Sequence, residues 1–165
     1  MRVLGLDPGS RTTGWGLIEG DSRSLQRACF GCLHGQRETS RARILAGLAA
    51  ELDGILQRWQ PDVAAIETPF TAKFPKAALA LAETRGALLA VLGRWGGAVV
   101  EYEPARIKAA IVGYGRADKH QVAFMISRHL ALDALPPSDA ADALAVALCH
   151  LRSGLLPVSP AVKTL

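Results

Sequence analysis

The chain has 165 residues, of which 50% are hydrophobic and 21% charged, a composition typical of one globular domain with a single core. No apolar run approaches the length of a membrane helix, and an acid at the seventh position argues against a secretory signal, so we expect no membrane partner. Three cysteines without a dense pattern favour the cytoplasm, and the net charge of +4 weakly favours a polyanionic partner.

The first predicted strand ends on an acid. Val3, Leu4 and Leu6 form an apolar run that predicts a strand covered on both faces, and the run terminates in Asp7. Residues 8–10, Pro-Gly-Ser, then have strong turn chemistry. Asp7 either carries chemistry at the carboxyl end of a central strand or merely opens a turn, and this stretch alone leaves both interpretations open.

Two further strands, about residues 13–19 and 24–34, complete a predicted antiparallel meander. Gly14 and Gly16 lie on one side of the second strand and leave that face open to a helix, another backbone or a ligand.

The third strand contains a C-x-x-C spacing at Cys29 and Cys32. A metal or redox interpretation needs a second ligand pair or a helix N-terminus, and residues three apart in a strand point to opposite faces. We therefore favour two small buried residues.

A crossover brings a second acid to the sheet. Residues 40–60 carry an apolar stripe at helical spacing, and residues 62–67 repeat the opening pattern, a short apolar run that ends in Glu67. Strand–helix–strand units are parallel and right-handed, so Asp7 and Glu67 are predicted at one sheet edge on strands about 4.8 Å apart. Two bare carboxylates so close repel each other, and a divalent cation is the usual remedy.

The segment after Glu67 alternates aromatics with lysines between prolines, with Phe70, Lys73, Phe74 and Lys76 in sequence. Such a loop suits stacking on bases while its cations meet phosphates. The alternative is a surface loop with one Phe in the core. We favour DNA contact for Phe70, whereas the pattern does not decide for Phe74.

The next predicted helix, residues 76–95, is apolar nearly all round. Small residues recur at every fourth position, namely Ala78, Ala82, Gly86 and Ala90. A second helix could lie closely on this stripe, which predicts a homodimer. A deeply buried helix in a monomer fits the pattern nearly as well.

The remaining chain predicts a fifth strand at 98–102, a helix at 104–112 that carries Lys108, and a helix capped by Asp118. Taken singly, Lys108 and Lys119 are no more than solvated lysines.

The last predicted helix carries two acids. Ser138 is its expected N-cap, and Asp139 in the first turn is explained by the helix dipole. Asp142 shares a face with Asp139 and has no basic neighbour to pair with in the sequence, so a cation is expected between them. The helix is predicted to end near residue 153. We assign residues 1–152 to one domain and 153–165 to a tail that is expected to be disordered.

Four motifs in this order resemble the RuvC family of bacterial Holliday junction resolvases over residues 1–151. They are Leu6-Asp7-Pro8-Gly9-Ser10-Arg11 with Gly14-Trp15-Gly16, Ala65-Ile66-Glu67 followed by Phe70, Gly113-Tyr114-Gly115 with Ala117, Lys119, Gln121 and Val122, and Asp139-Ala140-Ala141-Asp142-Ala143-Leu144-Ala145. Any one motif is weak evidence, whereas four in sequence are strong.

The resemblance implies an α/β fold of the ribonuclease H-like class: a five-stranded mixed sheet, with strands 1–3 antiparallel and strands 4–5 parallel, flanked by helices. It implies a homodimeric, magnesium-dependent endodeoxyribonuclease that resolves four-way junctions by paired nicks, leaving 5′-phosphate and 3′-hydroxyl ends. Two Mg²⁺ ions, or Mn²⁺ in their place, are expected at each active site. Branch-migration proteins of the Ruv system are candidate partners.

Site residues follow from the same resemblance. The metal ligands are Asp7, Glu67, Asp139 and Asp142, and Lys119 joins them in catalysis. The expected DNA contacts are Phe70, Arg85, Lys108 and Lys119, together with Lys73 and Lys76 from the pattern of the segment after Glu67. Beside Asp7, we interpret the open face at Gly14 and Gly16 as room for DNA. Phe74 and the pair Glu83-Thr84 depart from the family's usual residues, which bears on DNA contact and not on the metal site.

Three other classes of protein are alternatives. An ATP-binding protein of the actin and Hsp70 type also places an acid before glycines, but it pairs two such domains. A non-catalytic junction binder would lack one or more of the acids. A ribonuclease of the same fold is the nearest alternative, and the segment around Phe70 and the stretch 139–145 argue against it.

Overall fold

The structure is a computed structural model that describes residues 1–21, 24–35, 40–68 and 75–154. Its strands are β1 (Arg2–Pro8), β2 (Thr12–Gly20), β3 (Leu25–His34), β4 (Val63–Glu67) and β5 (Ala98–Tyr102). Its helices are α1 (Arg41–Trp59), α2 (Pro75–Trp95), α3 (Pro104–Val112), α4 (Lys119–His129) and α5 (Ser138–Arg152). The predictions for Phe70, Lys73, Phe74 and the tail from residue 155 onward fall outside the described residues.

One sheet of order β3-β2-β1-β4-β5 organises the fold. β1 to β3 form an antiparallel meander, while β4 lies parallel to β1 and β5 parallel to β4. The predicted mixed sheet is therefore confirmed. β1 lies in the middle, where its apolar residues are covered on both faces, and its carboxyl end meets the carboxyl end of β4.

Each face of the sheet has its own apolar core. Leu4 and Leu6 of β1 pack with Leu48 of α1 and Leu88 of α2 on one face. Val3 packs on the other face, with the helices α3, α4 and α5. This alternation follows the two-residue period of a strand. Burial of each such side chain contributes about 1.5–3 kcal/mol, so both helical layers are needed to hold β1.

Helix α5 lies directly on the backbone of the sheet. A Cβ atom added to Gly14 would lie 1.9 Å from the carbonyl oxygen of Asp139, and one added to Gly5 would lie 2.1 Å from that of Ala143. A Cβ on Gly16 would lie 2.7 Å from the side chain of Leu144. The open face of β2 is thus filled by a helix, and our interpretation of Gly14 and Gly16 as room for DNA was wrong.

The two helix starts that we predicted to be capped behave differently. Asp118 accepts a hydrogen bond from the backbone N–H of Gln121, whose side chain accepts one from the Asp118 N–H, so α4 begins with a complete capping box. Ser138, in contrast, is already the first residue of α5, and Pro137 occupies the N-cap position without a side-chain hydrogen bond. The prediction that Ser138 caps α5 was wrong because the fixed φ of Pro137 starts the helix one residue earlier.

Other sequence predictions concern surfaces. Cys29 and Cys32 are free thiols, and both are half-buried in β3.

On α2, Ala82, Gly86 and Ala90 are exposed, whereas Leu88 on the opposite side is buried. Within the described part of the chain, no helix combines the length and apolar character that a membrane crossing requires.

Candidate active site

Two acids stand side by side where β1 and β4 end. The parallel register pairs Leu6 with Ile66, and Asp7 and Glu67 are the next residue on each strand. Both acids point to the α5 side, because residues of β1 and β4 alternate and Leu6 and Ile66 face α1 and α2. The predicted meeting of the two strand ends is confirmed.

The first turns of α5 bring two more acids to the same place. The Asp139 backbone packs against Gly14, which is the β2 partner of Asp7 across the antiparallel ladder. Asp142 lies one turn further along α5, on the same helix face. A side chain at position 14 would hold α5 away, so the glycine sets the distance between Asp7 and the α5 acids.

The electrostatics show that these carboxyls act on one another. Burial raises the pKa of the Asp7 carboxyl to about 8, and the negative charges of Glu67, Asp142 and Asp139 add to the rise while Lys119 opposes it. Burial, followed by the charge of Asp142, also raises the pKa of Glu67. The unbalanced charge of the cluster is negative, which favours a bound cation.

Lys119 supplies a positive charge from a separate helix. Its Nζ donates a hydrogen bond to Asp142 Oδ2 at 3.1 Å, and Asp142 is the main cause of the raised pKa of the lysine. The side chain of Lys119 is 75% exposed, that of Asp142 20%. Our expectation that the α5 acids have no basic neighbour was therefore wrong for Asp142, because the neighbour comes from α4 and not from α5.

A cleft of about 740 Å³ opens over this cluster. Its lining includes Asp7, Glu67, Thr68, Glu103, Lys108, Gly115, Lys119 and Asp142. Asp139 is outside the lining, although it is close enough to act on the pKa of Asp7. Glu103, which also lines the cleft, was not predicted from the sequence. It directly follows the carboxyl end of β5, much as Glu67 ends β4. The strand-then-acid pattern could have found it.

Comparison with known proteins identifies the family. A family model described as "Crossover junction endodeoxyribonuclease RuvC" matches residues 3–150. The chain belongs to the RuvC family. A crossover junction endodeoxyribonuclease RuvC of Cupriavidus metallidurans is 43% identical over 154 residues, which cover 93% of this chain and 85% of the relative.

Solved RuvC structures share the ribonuclease H-like fold. The Thermus thermophilus RuvC in complex with a Holliday junction substrate has a TM-score of 0.83 at 29% identity, covering 93% of this chain and 96% of that one. A second structure of the T. thermophilus protein has a TM-score of 0.80 at 32% identity, covering 91% and 93% of the two chains. The match thus extends over nearly the whole RuvC fold.

Membership of the RuvC family implies a divalent metal ion at this site. Within residues 1–21, 24–35, 40–68 and 75–154, no three His, Cys, Asp or Glu side chains form a ready set of metal ligands. The donors are nevertheless all carboxylate oxygens, which suit hard divalent cations. The raised pKa of Asp7 and Glu67 shows that their negative charges lack compensation. The residues fit a metal that completes the arrangement.

The residues predicted to contact DNA are not all near the cleft. Lys108 and Lys119 line it. Lys76 is exposed at the start of α2 and is not part of the lining. Arg85 is 16% exposed, and its Nη2 lies 2.6 Å from Glu101 Oε2, so it faces β5 from the middle of α2. DNA contact by Lys76 and Arg85 stays a prediction.

Proposed function

We propose that this RuvC-family chain cuts four-way DNA junctions with two magnesium ions held by Asp7, Glu67, Asp139 and Asp142. Membership of the family makes the chain a Holliday junction resolving endonuclease. The metal's identity and the site residues are our proposal. The observation that carries it is the convergence of acids from β1, β4 and α5, where burial and the neighbouring acids raise the pKa of Asp7 to about 8.

The reaction is hydrolysis of a phosphodiester. Water adds to phosphorus, the bond to the 3′ oxygen breaks, and the products are a 5′-phosphate and a 3′-hydroxyl. When bound, the metal ions supply a water of lowered pKa and stabilise charge on the leaving oxygen. Four carboxylates carry up to four negative charges, which is enough to neutralise two divalent cations.

Two lysines serve the phosphate in this proposal. Lys119 has a raised pKa, so it stays protonated and offers positive charge where the transition state gathers negative charge. Lys108, from α3, reaches the same cleft and opposes the raised pKa of Glu67. We assign Lys108 to positioning the DNA backbone. Contacts to phosphates fix the position of the DNA but do not read its sequence.

We also propose that the chain works as a homodimer through α2. Cutting two strands at symmetric positions of a junction needs two active sites, and a two-fold dimer supplies them. The exposed small residues Ala82, Gly86 and Ala90 and the 63%-exposed Leu79 give α2 a surface for close helix packing. The bacterial cytoplasm is the proposed location, and branch-migration proteins of the Ruv system are proposed partners.

A cleavage assay on four substrates tests the proposal. Synthetic four-way junction, linear duplex, RNA–DNA hybrid and single strand are incubated with wild type and Asp7→Asn, with and without Mg²⁺. We expect paired nicks in the junction only, only with metal, and an Asp7→Asn protein that binds the junction without cutting it. Asp53→Asn is the control, because Asp53 is an acid on α1 that pairs with Arg94 outside the cleft. Metal-independent cutting, or full activity of Asp7→Asn, would contradict the proposal.

A further inference from the structure

The side chain of Arg41 contacts the turn between β1 and β2 from outside. Arg41 is the first residue of α1. Its Nη1 donates a hydrogen bond to the carbonyl oxygen of Ser10 in the turn. Its Nη2 donates to the carbonyl oxygen of Ala80 on α2 and, at 2.8 Å, to Thr84 Oγ1. The guanidinium therefore joins the turn, α1 and α2 at one point.

The arrangement is electrostatically unfavourable for α1 taken alone. A cation at a helix N-terminus opposes the helix dipole, and the first turn of α1 contains no acid to offset it. The compensation comes from α2, where Glu83 Oε2 accepts a hydrogen bond from Arg41 Nε at 2.7 Å. The unfavourable interaction of Arg41 with the α1 dipole has to be offset by a residue of another helix. We therefore interpret the position of Arg41 as serving the turn and not α1.

Thr84 reinforces the same contact from inside the protein. Its side chain is fully buried, and its hydroxyl lies 3.1 Å from the Ala80 carbonyl oxygen and 3.4 Å from that of Ser10. The Ser10 carbonyl thus has two side-chain partners, one from each helix. We name Arg41, Glu83, Thr84 and the Ser10 carbonyl the turn anchor.

The anchored turn begins two residues after Asp7. The antiparallel ladder pairs Asp7 with Gly14 and Pro8 with Thr13, and residues 9–11 close it. The Gly35 N–H also donates to the Arg11 carbonyl oxygen at 3.0 Å. If the turn frays, the Pro8–Thr13 pair opens first and the Asp7–Gly14 pair next. The position of Asp7 relative to Glu67 therefore depends on the turn.

We propose that Arg41 is a positioning residue for the metal site, which acts by holding the β1–β2 turn so that Asp7 stays beside Glu67. The inference rests on the proposed function in one respect, that Asp7 is a metal ligand. Arg41 itself is outside the lining of the cleft.

The experiment compares Arg41→Ala with a matched control on the same two helices. Arg94 of α2 pairs with Asp53 of α1 at 2.9 Å, so Arg94→Ala removes an α1–α2 ion pair that does not touch the turn. Two measurements are made on each variant: amide hydrogen exchange of residues 9–14 without metal or DNA, and the Mn²⁺ concentration that half-saturates the protein, by titration calorimetry.

We expect Arg41→Ala to speed amide exchange of the turn and to weaken Mn²⁺ binding by about tenfold or more, as loss of a supporting contact does at metal sites. Arg94→Ala should leave both readouts at the wild-type level. Arg41→Lys keeps the positive charge but loses the forked guanidinium, so its amide exchange and Mn²⁺ affinity should lie between those of wild type and Arg41→Ala. Thr84→Val should speed amide exchange of the turn less than Arg41→Ala does. Junction binding without metal should stay unchanged in all four.

Equal effects of Arg41→Ala and Arg94→Ala would overturn the proposal, since Arg41 would then be an ordinary link between helices. Unchanged amide exchange in Arg41→Ala would also overturn it. Failure of the proposed function is a separate result, because it shows as full Mn²⁺ binding by Asp7→Asn, whereas the exchange measurement needs neither metal nor an active enzyme.

Discussion

The ammonium of Lys119 lies 3.1 Å from Oδ2 of Asp142, so a residue proposed to bind metal is already paired with a cation. On that proposal, the lysine and a metal ion would compete for the same carboxylate oxygen. The side chain of Lys119 is 75% exposed, whereas that of Asp142 is 20% exposed. An exposed ion pair of this kind is worth about 0–1 kcal/mol, much less than coordination of a divalent ion, so we expect metal to displace the lysine from Asp142.

Replacement of Lys119 by Met separates the two roles of the lysine. Metal binding should stay as strong as in wild type or become stronger, because the competitor is removed. The rate of junction cleavage should fall by about 100-fold, the usual effect of losing one group that stabilises transition-state charge. Mn²⁺ titration and single-turnover cleavage on a preformed complex measure the two quantities. Arg128→Met is the control, since Arg128 is an exposed basic residue on the same helix, α4, outside the lining of the cleft. A loss of metal affinity in Lys119→Met would argue that the lysine supports the site instead of competing for it.

The raised pKa of Asp7 predicts how the stability of the metal-free protein depends on pH. The pKa of Asp7 is about 8 in the folded state, against an ordinary value of 3.8 for an aspartate. Between these two pH values the folded protein therefore keeps a proton that the unfolded chain has lost. Stability should therefore fall as pH rises from about 4 to 8, with a limiting slope of about 1.4 kcal/mol per pH unit from this group. The raised pKa of Glu67 acts in the same direction.

Asp7→Asn isolates the contribution of this carboxyl. The variant should be more stable than wild type at pH 8 in the presence of a chelator, and the difference should shrink toward pH 4. His150 has a lowered pKa through burial and opposes this trend below about pH 6.5, but it is present in both proteins and cancels in the comparison. Urea unfolding at several pH values measures the difference, with Asp53→Asn as the control. A constant difference across the range would show that Asp7 is ionised in the folded protein.

The backbone of the site was predictable from the sequence. Two apolar runs that end in Asp7 and Glu67, joined by a helix, sufficed to place both acids at one sheet edge, because the handedness and register of such units follow from strand geometry. The Lys119–Asp142 pair was not predictable. Its partners are 23 residues apart on separate helices, and no periodicity relates them.

The same limit applies to the turn anchor and to the glycines under α5. The sequence around Gly14 indicated that another group approaches that strand closely. Whether this group is a helix or DNA depends on the path of residues 103–137, which no local sequence pattern determines. Arg41 has no sequence signal at all, since its partners come from the β1–β2 turn and α2.

Gly14→Ala tests the contact between α5 and the sheet. Its Cβ would lie 1.9 Å from the Asp139 carbonyl oxygen, which is backbone, so α5 must shift. We expect a loss of about 2 kcal/mol or more in stability, together with loss of cleavage, because Asp139 and Asp142 move with the helix. Gly54→Ala is the control: Gly54 lies inside α1 with nothing within 4 Å of its Cβ position, and alanine there should stabilise the protein by about 0.5–1 kcal/mol. Urea unfolding and the junction assay measure both effects. A Gly14→Ala protein of wild-type stability would mean that α5 does not rest on β2 as described.

A charge on the exposed stripe of α2 tests the homodimer. Ala82→Lys places a cation on each of two facing helices, so we expect the variant to sediment as a monomer at concentrations where wild type is a dimer. Ala50→Lys is the control, because Ala50 is an exposed alanine on α1. On a junction held in a supercoiled circle, the dimer should make both cuts within one binding event and give linear product. The monomer should give mainly singly nicked circles, which lose the junction before a second cut. A wild type that sediments as a monomer would contradict the homodimer itself. An Ala82→Lys protein that stays dimeric and linearises the circle normally would place the contact between subunits elsewhere than α2.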